Sequence, residues 1–403
     1  MGLPFSAVSV RGFFFLFMGK CFESSFSAAN PNRVPIFHIF AKIFEMRVCQ
    51  YIIFLVLAAG MISGCSGPSR EDYGSSCEYA RYFDVPDSAT VVTVSPFDGH
   101  RDTLRFDVPM DNIICMSSSH VAALSAIDAD SLISAVSGIR YLTNKKLRDR
   151  FDGICGRPLY DVGYENSLAY ETVLSLDPDM LVTYTVSGAE PQYVAKLRSL
   201  GVSVLVLHDH LEEHPLARAE YVKLFGVLTG RTDKAESVFD EVRDSYEALS
   251  RNVGTDLPRK KVLLNIPYGD AWYVPGQDSY MSRLIRDAGG EVLGSVAGRS
   301  RSSVISTEQA YRLSKDADIW LNPGHCRTRE ELSSVHQLFP SFGPLAKGLP
   351  VYNNTLRTTP EGGNDFWESG VMRPDLILSD LVTIFGTSEG DSGQELYYFF
   401  PLE

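Results

Sequence analysis

The period of the apolar residues changes twice along this chain, and this change constrains its fold more than any other feature. Across residues 112–207, and again across residues 262–385, short apolar runs alternate with amphipathic segments, which is typical of α/β folds. Between these two regions lies a segment with helical spacing, carried by Ala235, Val238, Phe239, Val242, Tyr246 and Leu249. It predicts one helix of about 18–20 residues, roughly 30 Å long, that joins two α/β lobes.

The two lobes repeat one local arrangement. In the first lobe Glu171 precedes Asp179 and an apolar run, and in the second lobe Glu308 precedes Asp318 and a similar run. Each set predicts a helix with a glutamate in its first turn, then an acidic corner, then a strand. The repetition favours two related halves over one continuous sheet.

The region that begins at Met46 has the composition of a secretory signal. Arg47 supplies a positive charge, and an apolar run over residues 51–59 follows, too short to span a bilayer of about 30 Å. The string Ile62-Ser-Gly-Cys65 resembles the lipobox of bacterial lipoproteins, which implies that Cys65 is acylated and begins the mature chain. A simple signal peptide that is cleaved nearby is the alternative. We expect translation to start at Met46 and the protein to be extracytoplasmic, anchored to a bacterial membrane by lipid.

Composition and periodicity divide the chain into segments. The predicted boundaries are an upstream stretch 1–45, a signal peptide 46–64, a tether with a β-hairpin 65–109, an N-terminal α/β lobe 110–230, a linking helix 231–253, a C-terminal α/β lobe 254–386 and a tail 387–403. Strand-like runs on either side of Asp98-Gly99-His100 indicate the hairpin.

Charge and motif content exclude several classes of function. The net charge of −13 argues against a nucleic-acid partner, because phosphate binding needs clustered Lys and Arg. The chain has no phosphate loop of the nucleotide enzymes and no G-x-S-x-G of the hydrolases. Its seven cysteines form no C-x-x-C pair, and whether Cys77, Cys115, Cys155 and Cys326 form disulfides is left open.

A set of short strings is informative through its order. The strings are Cys115-Met-Ser-Ser-Ser-His120, Asp161-Val-Gly163, Leu176-Asp-Pro-Asp179, Trp272-Tyr-Val-Pro-Gly276, and Gly363-Asn-Asp-Phe-Trp-Glu-Ser-Gly370 followed by Arg373-Pro-Asp375. Together they resemble the periplasmic receptors of iron-complex and cobalamin ABC importers, over roughly residues 110–386. The resemblance implies two Rossmann-like lobes bridged by a helix, a ligand cleft between the lobes, and no enzymatic activity.

The resemblance also implies where ligand and importer bind. Ligands of α/β folds lie at the carboxyl ends of strands, where the sequence offers His120, Arg140, Tyr141, Tyr164, His208, Tyr268, Trp272, Tyr273, His325, Phe366, Trp367 and Arg373. Aromatic walls with a few cations suit an iron(III) complex with a siderophore or haem, or a corrinoid such as cobalamin, and no other cofactor is expected. In this family one glutamate of each lobe docks onto the permease, and through it the ATPase, a role that falls here to Glu171 and Glu308.

One string suggests a different chemistry. His210-Leu-Glu-Glu-His214 matches the inverted zinc-protease motif, in which both histidines bind zinc from one face of a helix. Pro215 follows directly, and a residue before proline is disfavoured in helical conformation, so we expect a connecting loop. The alternatives that remain are a metal-ion receptor that uses His208, His210 and His214, and a metallopeptidase.

Overall fold

The computed structural model describes residues 76–106, 109–254, 258–387 and 395–403. The predicted upstream stretch, the signal peptide and Cys65 lie outside the described residues. No helix within these described ranges is both long and apolar enough to cross a bilayer.

A small antiparallel sheet precedes the first lobe. Its strands are β1 (Phe83–Asp87), β2 (Thr90–Val94) and β3 (Arg101–Arg105), in the order β1-β2-β3. The predicted hairpin corresponds to β2 and β3, and β1 adds a third strand that the sequence pattern did not indicate. Phe83 anchors the sheet, because its buried ring packs at 4.4 Å from that of Tyr221 in the first lobe.

The first lobe contains a five-stranded parallel sheet in the order β6-β5-β4-β7-β8. Its strands are β4 (Ile113–Cys115), β5 (Ile133–Val136), β6 (Tyr160–Asp161), β7 (Met180–Tyr184) and β8 (Val204–Leu207). Its helices are α1 (Ser118–Ala126), α2 (Lys145–Phe151), α3 (Tyr170–Leu176) and α4 (Gln192–Ser199). Aliphatic residues fill both faces of the central strands, as expected for a parallel sheet covered by helices.

Two antiparallel helices lead from the first lobe to the second. Every residue of α5 (Pro215–Leu228) except Lys223 is buried, whereas α6 (Thr232–Arg251) buries only one face. That face carries Ala235 and Phe239, as the helical spacing predicts. A Cβ on Gly226 would lie 2.4 Å from the Ala235 Cβ, so glycine allows the two helices to approach closely.

The second lobe contains another five-stranded sheet in the order β11-β9-β13-β14-β15, in which only β15 is antiparallel. The strands of the lobe, including a separate ribbon of β10 and β12, are β9 (Lys260–Leu264), β10 (Trp272–Val274), β11 (Gly290–Val292), β12 (Ser303–Ile305), β13 (Ile319–Leu321), β14 (Val351–Asn353) and β15 (Phe400–Pro401). Its helices are α7 (Tyr280–Asp287), α8 (Thr307–Ser314), α9 (Arg329–Val335), α10 (Gly343–Ala346), α11 (Ser369–Met372) and α12 (Pro374–Phe385).

This architecture confirms the prediction of two α/β lobes with central sheets and a long linking helix. The C-terminal segment differs from a simple tail, because its last residues form β15 at the edge of the second sheet. The loops that follow β5 and β14 touch: Thr359 donates its hydroxyl to the Arg140 carbonyl at 3.2 Å. The loops at the carboxyl edges of the two sheets are therefore in contact beside the predicted cleft.

Candidate ligand-binding site

The carboxyl edge of the first sheet presents three exposed tyrosines. Tyr141 follows β5, Tyr164 follows β6 and Tyr184 ends β7, and their exposed fractions are 52%, 51% and 40%. Tyr141 and Tyr164 were predicted from the sequence, and Tyr184 was missed although it ends an apolar strand in the same way. Arg140 is exposed beside Tyr141.

A carboxylate fixes the loops that carry two of these tyrosines. Asp161 accepts hydrogen bonds from the backbone N–H groups of Gly138 (3.1 Å), Ile139 (3.1 Å) and Gly163 (2.9 Å). The Tyr164 ring then covers Gly138, where a Cβ would lie only 2.4 Å from the phenol oxygen. Burial raises the pKa of Tyr164, so this hydroxyl keeps its proton. The result is a preformed hollow of about 460 Å³ lined by Arg140, Tyr141 and Tyr164.

The second lobe has its own exposed residues near the carboxyl edge of its sheet. Tyr268 follows β9 and is 84% exposed, and Tyr273 and Trp367 are each 45% exposed. His325 follows β13 and is also exposed. These four predicted residues are therefore accessible to a ligand.

Two predicted aromatic residues lie in the core instead. Trp272 is 1% exposed, donates its indole N–H to the Leu264 carbonyl at 2.9 Å, and stacks on Phe342 with ring centroids 5.8 Å apart. Phe366 is also 1% exposed, and its ring meets that of Phe399 edge to face. Side chains alternate along a strand, so Tyr273, next to Trp272 on β10, faces solvent. Residues 365–367 form a 3-10 turn with about three residues per turn, and Trp367 is its exposed member.

His120 does not reach the cleft surface either. It is 1% exposed, and its Nε2 lies 3.5 Å from the Asp209 carboxylate. Asp209 also accepts a hydrogen bond from the Ser119 hydroxyl at 2.7 Å. Burial alone would raise the pKa of Asp209, but His120, Arg218 and Ser119 together hold it well below its ordinary value. In place of the predicted ligand contact, His120 makes a buried contact with Asp209 that packs α1 against the end of β8.

Arg373 is engaged within its own loop. Its Nε and one terminal nitrogen donate to the two carboxylate oxygens of Asp375 at 2.9 and 2.8 Å. This bidentate pair raises the pKa of Arg373 and leaves little of the guanidinium for a ligand. Of the two predicted arginines, Arg140 is therefore the one whose guanidinium is more available to a ligand.

A polar clamp that the sequence did not reveal holds the two lobes together. Glu368 accepts backbone N–H groups of Thr143 (2.6 Å) and Asn144 (2.9 Å), and Asp365 accepts the Thr143 hydroxyl at 2.9 Å. Burial raises the pKa of Glu368 to about 7 against the opposing effect of these hydrogen bonds. Gly363 completes the contact, because a Cβ there would lie 1.9 Å from the Tyr141 carbonyl. Both carboxylates belong to the string 363–370 that the sequence singles out. Nothing in that string indicates that their partners are Thr143 and Asn144 of the first lobe.

The string His210-Leu-Glu-Glu-His214 is structural. The Glu212 carboxylate accepts the backbone N–H groups of Arg81 and Tyr82 at 2.8 and 3.0 Å, and burial raises its pKa to about 7. His214 caps α5, since its Nδ1 accepts the Leu216 N–H at 3.1 Å. The string therefore forms the expected loop before α5, and its glutamate secures the segment before β1.

The three histidines of the alternative metal site face different neighbours. His208 lies against Phe97, His210 against Tyr184, and His214 against Tyr79. Within the described ranges, no group of three or more His, Cys, Asp or Glu side chains is placed to hold a metal ion. The structure thus provides no zinc site at this loop for a receptor or a peptidase.

Glu171 and Glu308 occupy matching positions. Each is exposed in the first turn of a helix, α3 and α8 respectively, that precedes a parallel strand. Such helices begin at the carboxyl edge of the sheet, so both glutamates lie at the level of the cleft. The Ser306 hydroxyl lowers the pKa of Glu308 and keeps it ionised.

Two α/β lobes with exposed aromatic side chains at the carboxyl edges of their sheets form an arrangement suited to binding a solute. A family model described as periplasmic binding protein matches residues 113–339, and this chain belongs to that family. The family and the structures that share the fold are solute-binding proteins and not enzymes. Membership also supports the predicted extracytoplasmic location.

Individual relatives are distant. The chain is 25% identical to an uncharacterized lipoprotein of Methanocaldococcus jannaschii over 299 residues, which are 73% of this chain and 69% of that protein. It is 28% identical to the iron(3+)-hydroxamate-binding protein FhuD of Bacillus subtilis over 119 residues, 29% of this chain and 35% of FhuD.

Solved structures share the fold at low identity. A periplasmic binding protein of Veillonella parvula superposes with a TM-score of 0.56 at 16% identity, over 74% of this chain and 99% of that one. A periplasmic heme binding protein of Pseudomonas aeruginosa gives a TM-score of 0.53 at 18% identity, over 73% of this chain and 98% of that one.

Proposed function

We propose that this protein is a lipid-anchored receptor that captures an iron(III) complex and delivers it to the permease of an ABC importer. The observation that carries the proposal is the set of exposed aromatic side chains on the facing edges of both lobes. Tyr141 and Tyr164 stand on one side, and Tyr268, Tyr273 and Trp367 on the other. Aromatic walls with few charges suit a large, partly apolar complex better than an amino acid, a sugar or a bare ion.

The number of exposed arginines predicted for the cleft limits the negative charge that a ligand can carry. Of the two arginines predicted for the cleft, Arg373 is neutralised by Asp375, so Arg140 remains as the exposed cation. A trianionic complex would bury several charges without enough partners, which is costly. A complex of low net charge, such as a ferric hydroxamate, avoids this cost. Haem comes next, and a corrinoid is the weakest candidate.

The names of two relatives agree with this order. FhuD, which aligns with part of this chain, is named for binding iron(3+)-hydroxamate. The Pseudomonas aeruginosa structure is that of a heme binding protein, and its similarity extends to the fold. The uncharacterized lipoprotein of Methanocaldococcus jannaschii supports acylation of Cys65.

Delivery rests on Glu171 and Glu308 as docking residues for permease arginines. Both are exposed at the same edge, one on each lobe, which is the arrangement that a two-point contact requires. The Glu171→Arg and Glu308→Arg double variant should bind ligand normally and lose uptake in the reconstituted importer. Uptake equal to that of wild type would contradict this docking.

The ligand is tested by titrating the detergent-purified protein with a ferric trihydroxamate, haem, cyanocobalamin and zinc, with the heat of binding in isothermal titration calorimetry as the readout. We expect the trihydroxamate to bind with a Kd of about 1 μM or tighter. Trp367→Ala should weaken this binding by roughly 1–3 kcal/mol.

Phe151→Ala serves as the matched control. Phe151 is 40% exposed but ends α2, at the amino edge of the sheet, so its loss should leave affinity unchanged. Tight binding of zinc, with no binding of any iron complex, would contradict the proposed function.

A further inference from the structure

The tip of the β2–β3 hairpin is a preorganised loop. The Ser95 N–H donates to the His100 carbonyl at 2.8 Å, and the Gly99 N–H donates to the Ser95 carbonyl at 2.9 Å. Asp98 accepts the His100 N–H at 3.1 Å. Gly99 has a φ of +73°, which favours glycine at this turn. These bonds hold the tip in one shape independently of a ligand.

This tip lies at the carboxyl edge of the first sheet. Phe97 packs on the loop after β7, where a Cβ on Gly188 would lie 3.1 Å from the Phe97 Cβ. The same ring meets His208, at the end of β8, edge to face with centroids 6.1 Å apart. The hairpin thus covers His208 and extends the wall of the cleft beyond β8.

A small crevice remains between the hairpin and the lobe. Its volume is about 160 Å³, enough for a substituent of a ligand but not for a whole metal complex. Its polar lining includes Ser95, Asp98, His100, Thr185, Ser187 and His208. His208 is 6% exposed, and its Nδ1 has no hydrogen-bond partner among the described residues.

Three carboxylates line the crevice, those of Asp98, Asp102 and Glu190. Hydrogen bonds from the Ser95 side chain and the His100 backbone lower the pKa of Asp98 and keep it ionised. Burial lowers the pKa of His208, so its imidazole is neutral at neutral pH. Arg198, the cation at the edge of the crevice, is paired with Glu190 and lies 3.9 Å from Asp102. Arg198 therefore compensates Glu190 and lies near Asp102, which leaves Asp98 as the lining carboxylate away from this guanidinium, beside several neutral acceptors.

We propose that this crevice is a side subsite of the ligand cleft that receives a cationic or hydrogen-bond-donating arm of the metal complex, with Asp98 as its acceptor. The inference rests on the proposed function and adds a specificity element from outside the region that the family model matches, 113–339. Phe97 acts as a positioning residue, because it seats the tip against Gly188 and His208.

The test compares two ligands that differ in one arm. Ferrioxamine B is a linear ferric trihydroxamate with a terminal ammonium group, and its N-acetylated form lacks that charge. Asp98→Asn should weaken the binding of ferrioxamine B by about fivefold and leave the acetylated form within about twofold, as expected for one partly exposed ion pair.

Asp87→Asn, at the end of β1 and at the opposite end of the small sheet from the tip, is the control and should change neither affinity. Gly188→Val provides an independent variant, since it displaces Phe97 without removing a polar group, and should also reduce the preference for ferrioxamine B. Equal effects of Asp98→Asn on both ligands, or no effect on either, would overturn the subsite alone. Failure of wild type to bind either ferrioxamine while it binds another iron complex would also overturn the subsite alone, and failure to bind any iron complex would overturn the proposed function with it.

Discussion

The two lobes hold their cleft tyrosines in different ways. In the second lobe, Tyr273 lies on the β10–β12 ribbon, which a cluster of buried rings attaches to the main sheet; the rings belong to Trp272, Trp320, Phe339 and Phe342. In the first lobe, Tyr141 and Tyr164 lie on loops that the Asp161 carboxylate holds through three backbone N–H groups. One edge is positioned by apolar packing and the other by hydrogen bonds to an ion.

This difference has consequences for both stability and binding. Buried rings contribute through area and shape, so their loss leaves a cavity in the core. A carboxylate that accepts several N–H groups contributes less to global stability but determines the local path of the backbone. We therefore expect substitution in the ring cluster to lower mainly the free energy of unfolding, and substitution of Asp161 to lower mainly the ligand affinity.

The largest effect is expected for Trp272→Ala. Removal of this ring from the cluster should lower the free energy of unfolding by about 3–5 kcal/mol, measured by urea denaturation. Tyr273→Ala, one residue away and 45% exposed, should change it by no more than about 0.5 kcal/mol. Similar losses in both variants would contradict the assignment of Trp272 to the core and Tyr273 to the cleft.

A smaller loss of stability is expected for Asp161→Ala. Three backbone N–H groups would lose their acceptor, which should cost about 1–3 kcal/mol and release the Tyr141 and Tyr164 loops. Ligand affinity should fall more than in a Tyr164→Phe variant, because the backbone and not only a hydroxyl is altered. Asp152→Ala, an exposed carboxylate at the end of α2, is the control. Unchanged affinity in Asp161→Ala would show that the first edge does not depend on this anchor.

The sequence predicted the elements better than the contacts between them. Helix α12 begins at Pro374 and ends at Phe385, as its proline start and apolar spacing indicate. Strand β5 was not predicted, because only Ile133 and Val136 of its four residues have large apolar side chains. The position of Trp272 depends on which face β10 turns to the sheet. Glu368 binds a backbone 225 residues away, a pairing that no local pattern records.

The clamp between the lobes should make stability depend on pH. The pKa of Glu368 is raised from 4.5 to about 7, so the folded protein keeps a proton that the unfolded chain releases in this window. Its contribution is present in full below pH 4.5 and is lost as the pH rises through about 7. Wild type should therefore lose stability relative to Glu368→Gln between about pH 5 and about pH 8.

Urea denaturation of both proteins across this range measures the effect. Glu212, whose pKa is also raised to about 7, titrates in both proteins and cancels from the difference. A difference between wild type and variant that stays constant with pH would contradict a titration of Glu368 on folding.

The smallest effect is expected at Arg373, and it contrasts the two arginines that the sequence assigned to the cleft. Arg373 donates two parallel hydrogen bonds to Asp375, so Arg373→Lys should cost up to about 1 kcal/mol of stability and leave ligand affinity within about twofold. Arg140 is exposed beside the Tyr164 hollow, so Arg140→Lys should weaken the binding of an iron complex by more than Arg373→Lys does, because a planar fork is replaced by a point charge. Parallel titrations of the two variants with the same ferric trihydroxamate measure the contrast. A greater loss in Arg373→Lys would mean that the ligand displaces Asp375, and that the second lobe also supplies a cation to the site.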